Sequence, residues 1–78
     1  MMANSKRENI YDVVGRNIKK YRIKKGITQH ELAESLLLSD NFIAKLESTT
    51  RQTISLDTLD DIALKLDTDT KEFLDRKI

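Results

Sequence analysis

Apolar positions recur along this chain at spacings of three and four, the period of an amphipathic helix. Ile10, Val14, Ile18 and Tyr21 form one stripe, flanked by Val13, with Arg16, Lys19, Lys20 and Arg22 opposite. This predicts a first helix from about Glu8 to Lys25, opened by a possible capping box at Ser5-Lys6-Arg7-Glu8 and stopped by Gly26 in a left-handed conformation. Thr28 and Glu31 make a capping box for a second helix, Gln29 to Leu36, whose inner face is Leu32, Ala33 and Leu36. After the turn Leu37-Leu38-Ser39, Ser39 caps a third helix, Asp40 to Glu47, with Ile43 and Leu46 inward. Ala33 is small enough for these two helices to cross closely, against Ile43. A polar loop covers 48–54. Ser55 then caps a fourth helix with the stripe Leu56, Leu59, Ile62, Ala63 and Leu66. Asp69-x-x-Glu72 reads as a capping box for a short fifth helix that carries Phe73 and Leu74. Residues 1–7 have no apolar pattern and are expected to be a flexible segment preceding one domain over 8–78.

Composition narrows the class. A chain of 78 residues builds one small core with little room for a deep cleft. With no Pro and two Gly, strand-and-turn architectures are disfavoured and an all-α fold is expected. The absence of Cys excludes disulfides and thiolate metal sites. No apolar run approaches the roughly 20 residues of a membrane span, and the first 25 residues lack the apolar core of a secretory signal. A cytoplasmic location and no membrane partner are the expectation. Net charge is only +1, but it is unevenly spread. Lys6, Arg7, Arg16, Lys19, Lys20, Arg22, Lys24 and Lys25 face only Glu8 and Asp12 in the first 25 residues. From residue 57 onward acids outnumber bases. A basic pole of this kind can steer toward phosphate.

The Thr28–Glu47 stretch resembles the helix-turn-helix of the phage-repressor and Cro-like family of DNA-binding proteins. The resemblance is carried by Thr28-Gln29, Glu31-Leu32-Ala33, Ser39, Ile43 and Glu47. Val14-Gly15, Ile18 and Gly26 resemble that family's first helix and its exit, 55–66 its fourth helix, and 69–74 its fifth. The implied fold is an all-α, five-helix lambda-repressor-like domain with the helix-turn-helix at about 29–47. Two departures stand out. Leu37 occupies a turn position that is usually Gly and left-handed, where Leu costs on the order of 1–2 kcal/mol, so either the chain bears that strain or the second helix ends differently. The 48–54 loop has Thr49 and Thr53 in place of Gly and Pro, and is one residue longer.

The resemblance implies a sequence-specific regulator of transcription, a repressor in most such proteins, with the third helix in the major groove. The base-reading positions map onto Asp40, Asn41, Phe42 and Lys45. Asn41 can pair with adenine, Lys45 with guanine or a phosphate, and Phe42 can lie on thymine methyls or belong to the core. Asp40 can accept from cytosine N4 or serve as a first-turn acid. Gln29 and Ser39 are placed at phosphates, together with the hydroxyl, guanidinium and amide donors of Thr49, Thr50, Arg51 and Gln52.

One recognition helix reads few base pairs. The resemblance therefore also implies a homodimer on half-sites about 34 Å apart. The apolar area of Phe73, Leu74 and Ile78 makes the C-terminal end its candidate surface, unless Phe73 and Leu74 only close the core of the monomer. The rival reading is the same fold as a protein-interaction module, or as an antitoxin bound to a toxin partner. An enzyme is not expected. His30 is the sole His, on an exposed helical turn, and no Gly-rich phosphate loop or metal-ligand spacing is present. No cofactor and no metal are implied.

Overall fold

The computed structural model describes residues 8–76. The segment 1–7 expected to be flexible, the capping box expected to begin at Ser5, and Ile78 lie outside the described residues. Five helices follow in order: α1 Ile10–Lys25, α2 Gln29–Ser35, α3 Asp40–Glu47, α4 Leu56–Lys65 and α5 Thr70–Phe73. No strand occurs among the described residues.

Three helix starts match their sequence signals. Thr28 Oγ1 accepts from Glu31 N while the Glu31 carboxylate accepts from Thr28 N, closing the capping box. Ser39 and Ser55 accept from Phe42 N and Thr58 N. The other two differ. α1 starts at Ile10 rather than Glu8, because Asn9 takes the cap and accepts from Tyr11 N. Asp69 precedes α5 without a side-chain cap: Glu72 N donates to the Asp69 carbonyl at 3.0 Å, and the Glu72 carboxylate, which would close the other half of the box, accepts from Tyr21 Oη at 3.2 Å.

Three helix ends share one hydrogen-bond pattern. Ile27 N reaches Arg22 O, Leu38 N reaches Ala33 O and Thr68 N reaches Ala63 O, each across a left-handed residue: Gly26, Leu37 and Asp67. Leu37 sits at φ 58° with its side chain 94% exposed, so nothing packs against it to offset the strain. Leu37→Gly is therefore expected to raise stability by roughly 0.5–1 kcal/mol, the strain relieved less the extra freedom of the unfolded chain. Urea unfolding at constant m would read this as a higher midpoint, with Leu37→Ala unchanged; a lower midpoint for the Gly variant would refute the strain.

The helices close on one core. α1 supplies Val14 and Ile18, α2 Leu32 and Ala33, α3 Ile43 and Leu46, α4 Leu59, Ile62, Ala63 and the following Leu66, and α5 Phe73. α1 packs on α3 and α5, and α2 packs on α3. At the α1–α3 crossing a Cβ on Gly15 would lie 1.7 Å from Leu46 O, so only Gly fits. The α4 stripe is shorter than its sequence pattern: Leu56, in the first turn, is 74% exposed.

Two buried polar side chains tie distant parts together. Asn17 is fully buried, and its Nδ2 donates to Phe73 O and Asp75 O, both at 2.9 Å. Arg22, expected on the basic outer face, instead turns in. Its Nε and Nη2 donate to Glu47 at 2.7 and 2.9 Å, and its Nη1 donates to Ile27 O at 2.7 Å. Glu47 pushes the Arg22 pKa further up, against the opposing effect of burial. This bidentate pair locks the end of α1 to the end of α3.

Candidate nucleic-acid interface

α3 is held from its inner side. Ile43 and Leu46 are buried, Phe42 is half-buried against the core, and Glu47 is clamped by Arg22. The outward positions are Asp40, Asn41 and Lys45, all exposed. Asn41 and Lys45, four residues apart, project from one helix face. Phe42 falls between the two readings left open by the sequence, packed on the core with part of its ring still accessible.

Gln29 enters the same network as Arg22: its Nε2 donates to Glu47 Oε1 at 3.0 Å, which fixes the first turn of α2 to the last turn of α3. Ser39 is spent as the α3 cap. Beyond α3 the loop folds onto the helix end. Ser48 Oγ and Thr50 Oγ1 donate to Lys45 O at 3.0 and 3.2 Å, and Thr49 Oγ1 donates to Ser48 O. The hydroxyls of Thr49 and Thr50 thus already satisfy carbonyls left open at the helix end. Arg51 N donates to Asp12 Oδ1 at 2.8 Å, pinning the loop to α1 and leaving the Arg51 side chain in solvent. Gln52 is half-buried and donates to Thr53 O.

One contact had no sequence signal. His30, in the first turn of α2, places Nδ1 2.9 Å from both carboxylate oxygens of Asp40, in the first turn of α3. Both side chains stay mostly exposed. Asp40 raises the His30 pKa above 6.5, first through the hydrogen bond and then through its charge, with Glu34 and Glu31 adding to the effect.

The basic pole is thinner than the sequence suggests. Arg22 is buried, Arg16 pairs with Glu8, and Lys25 pairs with Asp67, which lowers the Asp67 pKa. Lys24 lies 5.9 Å from the Tyr21 ring centre. Lys19 and Lys20 remain as outward cations of α1. Through Lys25 and Asp67 the basic and acidic ends touch.

Away from α3, an apolar groove of 220 Å³ opens between α1, α4 and the chain after α5, lined by Ile10, Tyr11, Val14, Ile54, Leu56, Leu59 and Leu74. Of the residues expected at a self-association surface, Phe73 is unavailable, being fully buried and edge-on to Tyr21, while Leu74 is 41% exposed. Among the described residues no group of three His, Cys, Asp or Glu is placed to hold a metal ion, and no helix is long and apolar enough to cross a membrane.

Comparison with known proteins agrees with this geometry. A family model described as a helix-turn-helix domain matches residues 15–77. No curated protein matches the chain. Among solved structures, a crystal structure of a hypothetical transcription factor, NHTF from Neisseria, is similar over 88% of this chain and 78% of that one, with a TM-score of 0.80 and 25% identity.

Proposed function

Because the chain belongs to the helix-turn-helix domain family, we propose that it is a sequence-specific double-stranded DNA-binding regulator of the Cro/C1 type, acting as a cytoplasmic repressor rather than as an enzyme. The observation that carries this reading is α3 itself. Its inner face is fixed by the core and by Arg22, while Asn41 and Lys45 stand outward at groove-reading spacing. A helix held this rigidly can enter a major groove without paying to order itself. Asn41 reads adenine N6 and N7, Lys45 donates to guanine or phosphate, and the exposed part of Phe42 meets thymine methyls. Gln29, Ser39, Thr49, Thr50, Arg51 and Gln52 lie along the phosphate side, where the solvent-exposed Arg51 guanidinium is the main charge contact and Thr49 and Thr50 shape the loop with hydroxyls already given to carbonyls. Occupancy of a promoter by such a domain excludes polymerase, which is the simplest route to repression.

Selection of bound duplexes from random DNA tests the reading. Asn41→Ala is expected to cost about 1–3 kcal/mol at the selected site and to relax one base position, with non-specific affinity unchanged. Equal losses on specific and random duplexes would remove Asn41 from base reading. Failure of the wild-type protein to retain any duplex at low salt would favour the protein-partner reading.

Dimerisation supplies the area that one short helix lacks. Leu56 and Leu74 stand at the rim of the apolar groove. A two-fold interface presents the same patch twice, so each leucine can seat in the groove of the other copy. Leu74→Glu is then expected to convert a dimer at micromolar concentration to a monomer in sedimentation, and to weaken binding to a selected site with dyad symmetry. A wild-type monomer together with a selected site lacking dyad symmetry would remove the homodimer.

A further inference from the structure

His30 and Asp40 join the first turns of α2 and α3 at 2.9 Å. Resting on the DNA-binding reading above, we propose that this pair is a proton-controlled part of the DNA-contacting surface: His30 in its charged form cancels Asp40, and DNA binding takes up a proton there.

The geometry sets the chemistry. Nδ1 lies equidistant from the two Asp40 oxygens, so its hydrogen is directed at the carboxylate whether the ring is neutral or charged. Nε2 is the nitrogen that gains or loses the proton. It is 3.9 Å from Glu34 Oε1, beyond hydrogen-bond length, and the side chain is 66% exposed, so the proton exchanges with solvent. Three carboxylates face the ring: Asp40 from α3, and Glu34 and Glu31 from its own helix. All act in one direction and favour the charged imidazole, which His reaches within the physiological range.

With His30 neutral, Asp40 presents a net negative charge beside Asn41, in the part of α3 closest to phosphates. With His30 charged, the pair is neutral. Nε2 then carries a hydrogen that a phosphate can accept, where before it had only a lone pair. DNA brings further negative charge to the site and pulls the imidazole titration upward still. His30 thus acts as a positioning residue on Asp40 as well as a charge. By holding the carboxylate against α2, it withdraws Asp40 from base reading and leaves Asn41, Phe42 and Lys45 as the readers.

The sequence contains one His, so its ring signal in proton NMR is identified without assignment. Titration of the free protein and of its complex with a duplex selected from random DNA is expected to show a higher midpoint in the complex. The Kd for that duplex should rise about three- to tenfold from pH 6 to pH 8, within the tenfold per pH unit that a single linked proton allows. His30→Gln, which keeps a polar exposed side chain, should flatten this dependence. Asp40→Asn should bring the His30 midpoint in the free protein back toward its ordinary value and bind at pH 8 more tightly than wild type does. A pH profile retained by His30→Gln, or an imidazole midpoint unmoved by DNA, would overturn the proposal while leaving DNA binding intact. Absence of binding to any duplex at any pH would overturn both.

Discussion

Gly15→Ala is expected to destabilise the fold by about 3 kcal/mol or more, at or beyond the upper end of overpacking costs. The added Cβ would meet Leu46 O at 1.7 Å and Leu46 C at 2.7 Å. Both are backbone atoms, so no rotamer change relieves the clash; α1 must move off the end of α3. That movement loosens Leu46 in the core and stretches the Arg22–Glu47 pair one helical stretch away. For a domain of this size the thermal midpoint should fall by more than about 12 °C. Gly26→Ala makes a useful contrast. Nothing lies within 4 Å of its Cβ position, so only the left-handed backbone, φ 81°, penalises it, by about 1–2 kcal/mol. If both variants lost the same small amount, the close crossing of α1 and α3 would be refuted.

Glu47→Ala should be comparably damaging, at about 3–5 kcal/mol, because it strands a buried charge. Arg22 cannot shed its proton in response. Its Nη1 would keep Ile27 O, but Nε and Nη2 would lose both partners, and the Gln29 amide would lose its own. The asymmetry of buried pairs gives a second arm. Arg22→Met combined with Glu47→Leu should recover much of the stability, since neither charge then remains to be solvated. The double variant should nonetheless bind DNA less well, because Gln29 no longer links α2 to α3. A double variant as unstable as Glu47→Ala would mean the loss arises from packing and not from an orphaned charge.

The chain's local signals were readable where one residue and its near neighbours decide the outcome. Thr28, Ser39 and Ser55 cap as their positions indicate, Gly26 takes left-handed backbone, and the inner faces of α2 and α3 follow their period; at Leu37, where the sequence left two outcomes, the chain takes the left-handed one. Periodicity assigns a face but not a partner, and there the reading falls short. Arg22 belongs by period to the outer face, yet Glu47, 25 residues away, draws it in. Asn17 is polar by type, yet fully buried to serve carbonyls from the far end of the chain. Leu56 fits the α4 stripe but lies in the first turn, largely exposed among the residues that line the open apolar groove. In the candidate site, Asn41 and Lys45 stand outward as expected. The His30–Asp40 contact depended on the angle set by the Leu37 turn, which spacing alone does not encode.

The double anchor made by Asn17 bears on how short a chain can be and still fold. Its amide satisfies carbonyls at both 73 and 75, so removing residues after α4 would do more than empty the Phe73 pocket. Two amide hydrogens would be left unpaired in an apolar interior, at about 1–3 kcal/mol for each unmet group. At the other end, Asn9 caps the turn that carries Ile10 and Tyr11, which line the apolar groove together with Leu74. The smallest autonomous piece is therefore expected to run from Asn9 to no earlier than Asp75, and fragments ending inside α5 should be degraded rather than merely weakened.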